Sequence, residues 1–188
     1  MSIPNALSIY RLAVVPVIAG TALAGHRDAF FILVIISLAT DLVDGPIARL
    51  TGQESRYGAK IDTIADACTL LVGILGVYIF EGHNLGSELP WLYVFLASYA
   101  TAALTSLAKF GVLPAYHLYT SKVAAFVAAT FFIWLFLKGY SDLFLLVVLS
   151  IGVLANVESL AVTLRIKHFR TDIRSIFSVA FHARGIDG

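Results

Sequence analysis

Long apolar runs alternate with short polar breaks along this chain. A helix needs about 20 predominantly apolar residues to cross roughly 30 Å of hydrocarbon, and six stretches read as candidates. They run from Ala6 to Ala24, onward from about Ala29, from Gly58 to Phe80, from Pro90 to Lys109, from Ser121 to Leu137 and from Leu143 to Leu164. The breaks between them are short. The pattern therefore predicts an all-α integral membrane protein, with residues 1–164 as one six-helix transmembrane bundle and residues 165–188 as a basic tail. No repeat or low-complexity segment interrupts it.

The second run is out of step with the others. Its purely apolar part, Ala29 to Thr40, has 12 residues, which at 1.5 Å each covers only about 18 Å. To cross a bilayer the helix must continue through Asp41-Leu42-Val43-Asp44-Gly45-Pro46-Ile47-Ala48-Arg49. Two carboxylates are then carried inside a spanning helix, near one end. The third run mirrors this by placing Asp62 and Asp66 in its first turns.

Composition agrees with the pattern. Hydrophobic residues make up 59% of the 188, charged residues 13%, and mean hydropathy is +0.88, whereas soluble domains carry about 25% charged residues. A net charge of +1 gives no ground for a nucleic-acid partner, and none is expected. The single cysteine, Cys68, excludes an intrachain disulfide and a multi-cysteine metal site. The first run is expected to be retained rather than cleaved, because Arg11 follows a polar stretch with Asn5 and Ser8.

With six spans both termini share one side. That side receives Arg11, Arg49, Arg56, Lys60, Lys109, Lys122, Arg165, Lys167, Arg170, Arg174 and Arg184, while the other has only Arg27 and Lys138. The bias predicts cytoplasmic termini and a cytoplasmic location for the aspartate-bearing helix ends.

Four aspartates in two neighbouring spans are expensive, about 2.5–3.5 kcal/mol each at a helix centre. Cations, protonation or a water-filled cavity are the ways to offset that. Asp41 and Asp44 are three residues apart, and Gly58, Asp62 and Asp66 are each four apart, so each set shares one helix face. Two short-linked antiparallel helices would then point four carboxylates at one cleft. Hard divalent cations, Mg²⁺ or Mn²⁺, suit such oxygen donors and are usually completed by phosphates and water. A pair of ions is expected, able to activate a nucleophile and stabilise a leaving phosphate. Gly45, Ala48 and Gly58 leave room beside the carboxylates, and Arg49 is placed to balance charge or grip a phosphate.

The run Asp41-x2-Asp44-Gly45-x2-Ala48-Arg49-x8-Gly58-x3-Asp62-x3-Asp66 is similar to the signature of the CDP-alcohol phosphotransferases. All eight specified positions are filled, over 26 residues. The resemblance implies a six-helix, usually homodimeric membrane enzyme with its site open to the cytoplasm. It implies metal ligation by Asp41, Asp44, Asp62 and Asp66, with Asp66 also the general base. Gly45, Ala48 and Gly58 would line the CDP pocket, and Arg49 would support phosphates or carboxylates. Pro4-Asn5-x-Leu7-Ser8-x2-Arg11 also resembles the family's opening segment, with Asn5 on the nucleotide. The expected reaction transfers a phosphatidyl group from CDP-diacylglycerol to a small hydroxyl acceptor and releases CMP.

The acceptor is less constrained. Arg56, Lys60, Lys109 and Lys122, with His117 and Tyr119 nearby, suggest a phosphorylated acceptor, glycerol 3-phosphate first and inositol phosphate next. Arg56, Lys109 and Lys122 are the residues expected at it. Glycerophosphate-accepting members commonly carry a Lys-x-Lys-Thr type run before the fifth helix, where this chain has His117-Leu118-Tyr119-Thr120-Ser121-Lys122. Glu158 in the sixth run is expected to hydrogen-bond to a neighbour such as Ser159 or Tyr119, with a place facing the cytoplasmic cavity as the alternative. The tail, with Ile173, Ile176, Phe177 and Phe181 among its basic residues, is read as an interfacial helix on an anionic leaflet or as disordered. Gly73 and Gly76 are read as close-packing positions. The rival functions are a Mg-dependent membrane prenyltransferase and a divalent-cation transporter.

Overall fold

The computed structural model describes residues 3–51, 56–171 and 173–178, with side chains described for residues 5–41, 58–171 and 173–178. Six helices and no strands are found among them: α1 (Ile3–Leu23), α2 (Arg27–Thr51), α3 (Arg56–Glu81), α4 (Leu89–Phe110), α5 (Tyr119–Lys138) and α6 (Asp142–Arg165). Each apolar run is a helix, and outside α2 the helix exceeds its hydrophobic part by only a few residues. α2 stays helical through Asp41, Pro46 and on to Thr51. Five of the six, all but α2, are long and apolar enough to cross a membrane among the described residues. α2 has the length, about 37 Å at 1.5 Å per residue, but carries Arg27, Asp28, Asp41, Asp44 and Arg49.

The chain divides into two compact units. The first comprises residues 1–86 and 132–140, so it holds α1, α2, α3 and the end of α5. α1 and α2 are joined by residues 24–26. Gly25 takes φ 74° there, a left-handed conformation that glycine adopts without a Cβ clash. His26 N–H donates to Thr21 O at 2.9 Å, and Phe30 N–H donates to His26 O at 3.0 Å, so the chain reverses with few unpaired groups. α2 and α3 are antiparallel: Phe30, near the start of α2, lies on Gly76, near the end of α3, where a Cβ would run into the ring. Phe30, Phe31 and Phe80 form an aromatic plug with centroids 5.3 and 5.4 Å from Phe30. Phe132 and Phe136 of α5 pack on Phe31, and Phe132 also lies over Gly73. Both expected close-packing glycines thus have an aromatic ring against them.

The second unit comprises residues 87–131 and 141–188. α4 begins with Pro90 in its first turn and ends at Gly111, whose N–H donates to Leu107 O. α6 starts from Ser141, whose hydroxyl accepts from Phe144 N–H, with Asp142 in the first turn and Arg165 in the last, the charge order a helix dipole favours. α4 and α6 pack along their lengths, and Asn156 Nδ2 donates to Ser98 Oγ at 3.0 Å between them. Residues 166–171 and 173–178 fold back onto the α4–α5 loop. Tyr116, Leu118, Val162, Ile166 and Ile173 form a buried cluster there, with Phe110, Phe169 and Ile176 against it. The tail's Ile173 and Ile176 are therefore used in protein packing, while Phe177 is 73% exposed.

Outward-facing apolar side chains recur in both units, including Leu23, Val17 and Leu71 in the first and Leu104, Phe126 and Leu154 in the second. Exposed apolar surface of that extent is costly in water and unremarkable in lipid.

Candidate active site

Three helices of the first unit bring polar side chains to one place. α1 supplies Ser8 and Arg11, three residues apart and so on one face. α2 supplies Asp41, and α3 supplies Asp62 and Asp66 one turn apart. The antiparallel packing explains the convergence. Arg11 lies twelve residues before the end of α1, and Asp41 lies fourteen after the start of α2, so a tight turn puts them at similar depth.

Arg11 is the hub, only 1% exposed. Its Nη1 donates to Asp41 Oδ1 at 2.5 Å and to Asp66 Oδ1 at 2.6 Å, and its Nη2 donates to Asp62 Oδ1. Ser8 Oγ donates to Asp62 Oδ1 at 3.1 Å. The carboxylates themselves remain 37–49% exposed, so the cluster opens outward from a buried cation. One oxygen from each of Asp41, Asp62 and Asp66 lies within 4.8 Å of the others. Three carboxylates against one guanidinium leave two negative charges within this group. That surplus, and an all-oxygen donor set, fit a hard divalent ion.

Asp41, Asp62 and Asp66 are thus brought together as the sequence suggested. Asp44, Gly45, Ala48, Arg49 and Arg56 lie outside the residues whose side chains are described. Gly58 is buried in the first turn of α3, and Asn5 is half-buried in the first turn of α1.

The remaining candidates lie in the second unit. Lys109 Nζ donates to Thr163 O at 2.8 Å and Leu164 O at 3.0 Å, carbonyls of the last turn of α6. The ammonium therefore caps that helix, where a cation is favoured. Lys122 is exposed in the first turns of α5. Glu158 is fully engaged: Thr120 Oγ1 donates to its Oε2, while Ser175 Oγ at 3.2 Å and Ile176 N–H at 2.9 Å donate to its Oε1. It holds residues 175–176 to α6. In the same loop Tyr116 bonds Thr163 Oγ1 at 3.0 Å, and burial pushes its phenol up, keeping it neutral.

Sequence reasoning passed over Arg11 and Ser8 as site residues. Their signal was available: a hydroxyl and an arginine three residues apart, on one face of an otherwise apolar helix.

The fold and the cluster define a membrane-embedded helical protein with a carboxylate site built from its first three helices. The chain belongs to the CDP-alcohol phosphatidyltransferase family, whose profile matches residues 1–163. It is similar to the CDP-diacylglycerol–glycerol-3-phosphate 3-phosphatidyltransferase of Cereibacter sphaeroides, 39% identical over 95 residues, 48% of this chain and 41% of that protein. The protein of the same name from Rickettsia typhi is 32% identical over 108 residues, 55% of this chain and 58% of that one. A Mycobacterium tuberculosis protein named "Putative cardiolipin synthase" is 34% identical over 95 residues, 50% of this chain and 43% of its own length. The matched stretch spans about half the length of these relatives. No solved structure matches the chain.

Proposed function

We propose that this protein transfers a phosphatidyl group from CDP-diacylglycerol to a small hydroxyl acceptor, glycerol 3-phosphate first, and releases CMP. The observation that carries the reading is the convergence of Asp41, Asp62 and Asp66 from two helices onto one oxygen-lined point, in a chain of this family. The names of the Cereibacter and Rickettsia relatives support glycerol 3-phosphate as acceptor. A prenyltransferase or a cation transporter would not account for the family match.

In this mechanism Asp41, Asp62 and Asp66, with Asp44 from the same signature, would hold Mg²⁺ or Mn²⁺, two ions on the sequence reading. When bound, such ions neutralise the pyrophosphate and the departing CMP and acidify the attacking hydroxyl. Asp66 takes the proton of the acceptor hydroxyl as its oxygen bonds to the β-phosphorus. The bond from that phosphorus to the CMP oxygen breaks, and CMP leaves with the electron pair. Asp62 is held for its part by the Ser8 hydroxyl. Arg11 keeps the carboxylates from repelling one another before the substrate arrives. Asn5, Gly45, Ala48 and Gly58 line the nucleotide pocket, with Arg49 on phosphate or carboxylate. Lys122 and Arg56 are the cations assigned to an acceptor phosphate, and Lys109 has its helix cap instead.

The same reading makes α2 a sixth span, with both termini and the carboxylates on the cytoplasmic face of the membrane. Residues 1–164 form the catalytic membrane domain and 165–188 a basic tail, and the protein works as a homodimer.

The test is metal-dependent CMP release. Membranes containing the protein receive CDP-diacylglycerol, Mg²⁺ or Mn²⁺, and one of glycerol 3-phosphate, inositol phosphate, inositol, serine, phosphatidylglycerol or nothing. Release with glycerol 3-phosphate, abolished by chelator and by Asp66→Asn, is the expected result. Release with phosphatidylglycerol alone would replace the acceptor and keep the reaction class. No release with any acceptor would sink the reading.

A further inference from the structure

Two hydroxyls in the first unit have no place in the mechanism so far. Ser37 on α2 is 2% exposed and Thr69 on α3 is 7% exposed, and neither hydroxyl has a hydrogen-bond partner among the described residues. A buried hydroxyl left unbonded costs about 1–3 kcal/mol, and buried polar groups are normally satisfied. Each of these needs a partner.

The helix register says where the partner lies. Phe30 of α2 lies on Gly76 of α3. Seven residues onward in α2 is Ser37, and seven residues back in α3 is Thr69. The helices are antiparallel and rise equally per residue, so the two hydroxyls sit at one level. One turn further in the same direction come Asp41 and Asp66, which meet at Arg11. Spacings of seven and four along α2, and of seven and three along α3, keep each set on one helical stripe. Ser37 and Thr69 therefore form a polar layer directly beneath the carboxylates and above the Phe30 plug. Asp62 accepts from the Ser8 hydroxyl as well as from Arg11. Asp41 and Asp66 accept from Arg11 and, among the described residues, from no hydroxyl.

We propose that Ser37 and Thr69 are positioning residues for the metal-binding carboxylates. Their hydroxyls donate through one shared water to the inward oxygens of Asp41 and Asp66, and so fix the outward oxygens in the ligating orientation. Carboxylates that hold a metal are commonly steadied by such a second set of donors, whose loss typically weakens binding 10- to 100-fold. The inference rests on the reading of the aspartate cluster as a metal site.

The test measures Mn²⁺ binding to purified, detergent-solubilised protein by electron paramagnetic resonance, with no lipid substrate present. Ser37→Ala and Thr69→Val remove the hydroxyls at nearly constant shape. The double variant is expected to bind Mn²⁺ about tenfold more weakly, with each single variant in between. Ser37→Thr and Thr69→Ser, which keep a hydroxyl, are expected to bind like the wild type. Helical circular dichroism checks folding, and if the double variant loses its helices the single variants decide. Wild-type Mn²⁺ affinity in the hydroxyl-free variants, with binding lost in Asp66→Asn, would overturn the inference and leave the metal site standing. No Mn²⁺ binding by the wild type would overturn both.

Discussion

Two of the acidic centres among the described residues are built on opposite principles. In the first unit three carboxylates share, among the described residues, one buried guanidinium and a hydroxyl bond from Ser8. In the second, one carboxylate, Glu158, is met by two hydroxyls and a backbone N–H. Glu158 has a donor for each oxygen and nothing left to recruit. The aspartates have negative charge to spare and half-exposed oxygens. Charge alone does not mark a site. The difference lies in whether the surrounding protein completes the group.

Replacing Asp66 with Asn strikes the open centre hardest. CMP release is expected to fall by about 10²–10⁴-fold, the usual worth of a general base, and Asp41→Asn and Asp62→Asn should also weaken Mn²⁺ binding. A residual rate close to wild type in Asp66→Asn would remove the base assignment. Arg11→Met should cost stability next. Breaking a buried ion pair costs about 3–5 kcal/mol, and the partly exposed carboxylates put this case at the low end. Excess Mg²⁺ should return part of that loss in a thermal unfolding assay, because the ion replaces the missing cation. If Mg²⁺ has no effect, the surplus charge is not what recruits it. Glu158→Ala is milder. It strands a backbone N–H and two hydroxyls at a cost of about 1–3 kcal/mol, read as faster proteolysis within residues 166–178, with CMP release kept. Lost activity there would erase the contrast between the two centres. Lys109→Met is the smallest, a cap worth about 0.3–1 kcal/mol, with the KM for the acceptor unchanged. A raised KM would restore Lys109 to acceptor binding.

The helices were legible because the apolar runs, α2 apart, are close to a membrane thickness, and the ends moved by a few residues, in part where polar residues such as Arg27, Arg56 and Asp142 joined the first turn. The need for α2 to continue past Thr40 followed from length alone, and the helix does so. The meeting of Asp41, Asp62 and Asp66 followed from three- and four-residue spacing. Arg11 was harder to place, because a basic residue near a helix end fits the orientation rule equally well. Its role depends on how α1 lies against α2 and α3, which spacing within one helix does not encode. Lys109 and the docking of Ile173 were hidden for the same reason: each depends on a partner more than fifty residues away in one case and on the α4–α5 loop in the other.

Every residue seen in the aspartate cluster lies between Ser8 and Asp66, whereas the Phe31 end of the same unit is finished by residues 132–140. During synthesis the carboxylates can therefore meet before residues 132–140 are made. At about 5–20 residues per second, the step from Asp66 to Phe132 lasts on the order of three to thirteen seconds. A nascent membrane protein holding three unbalanced acids for that long would invite mispairing. Arg11 precedes all three aspartates along the chain, so the counter-charge is already in the bilayer when each of them arrives.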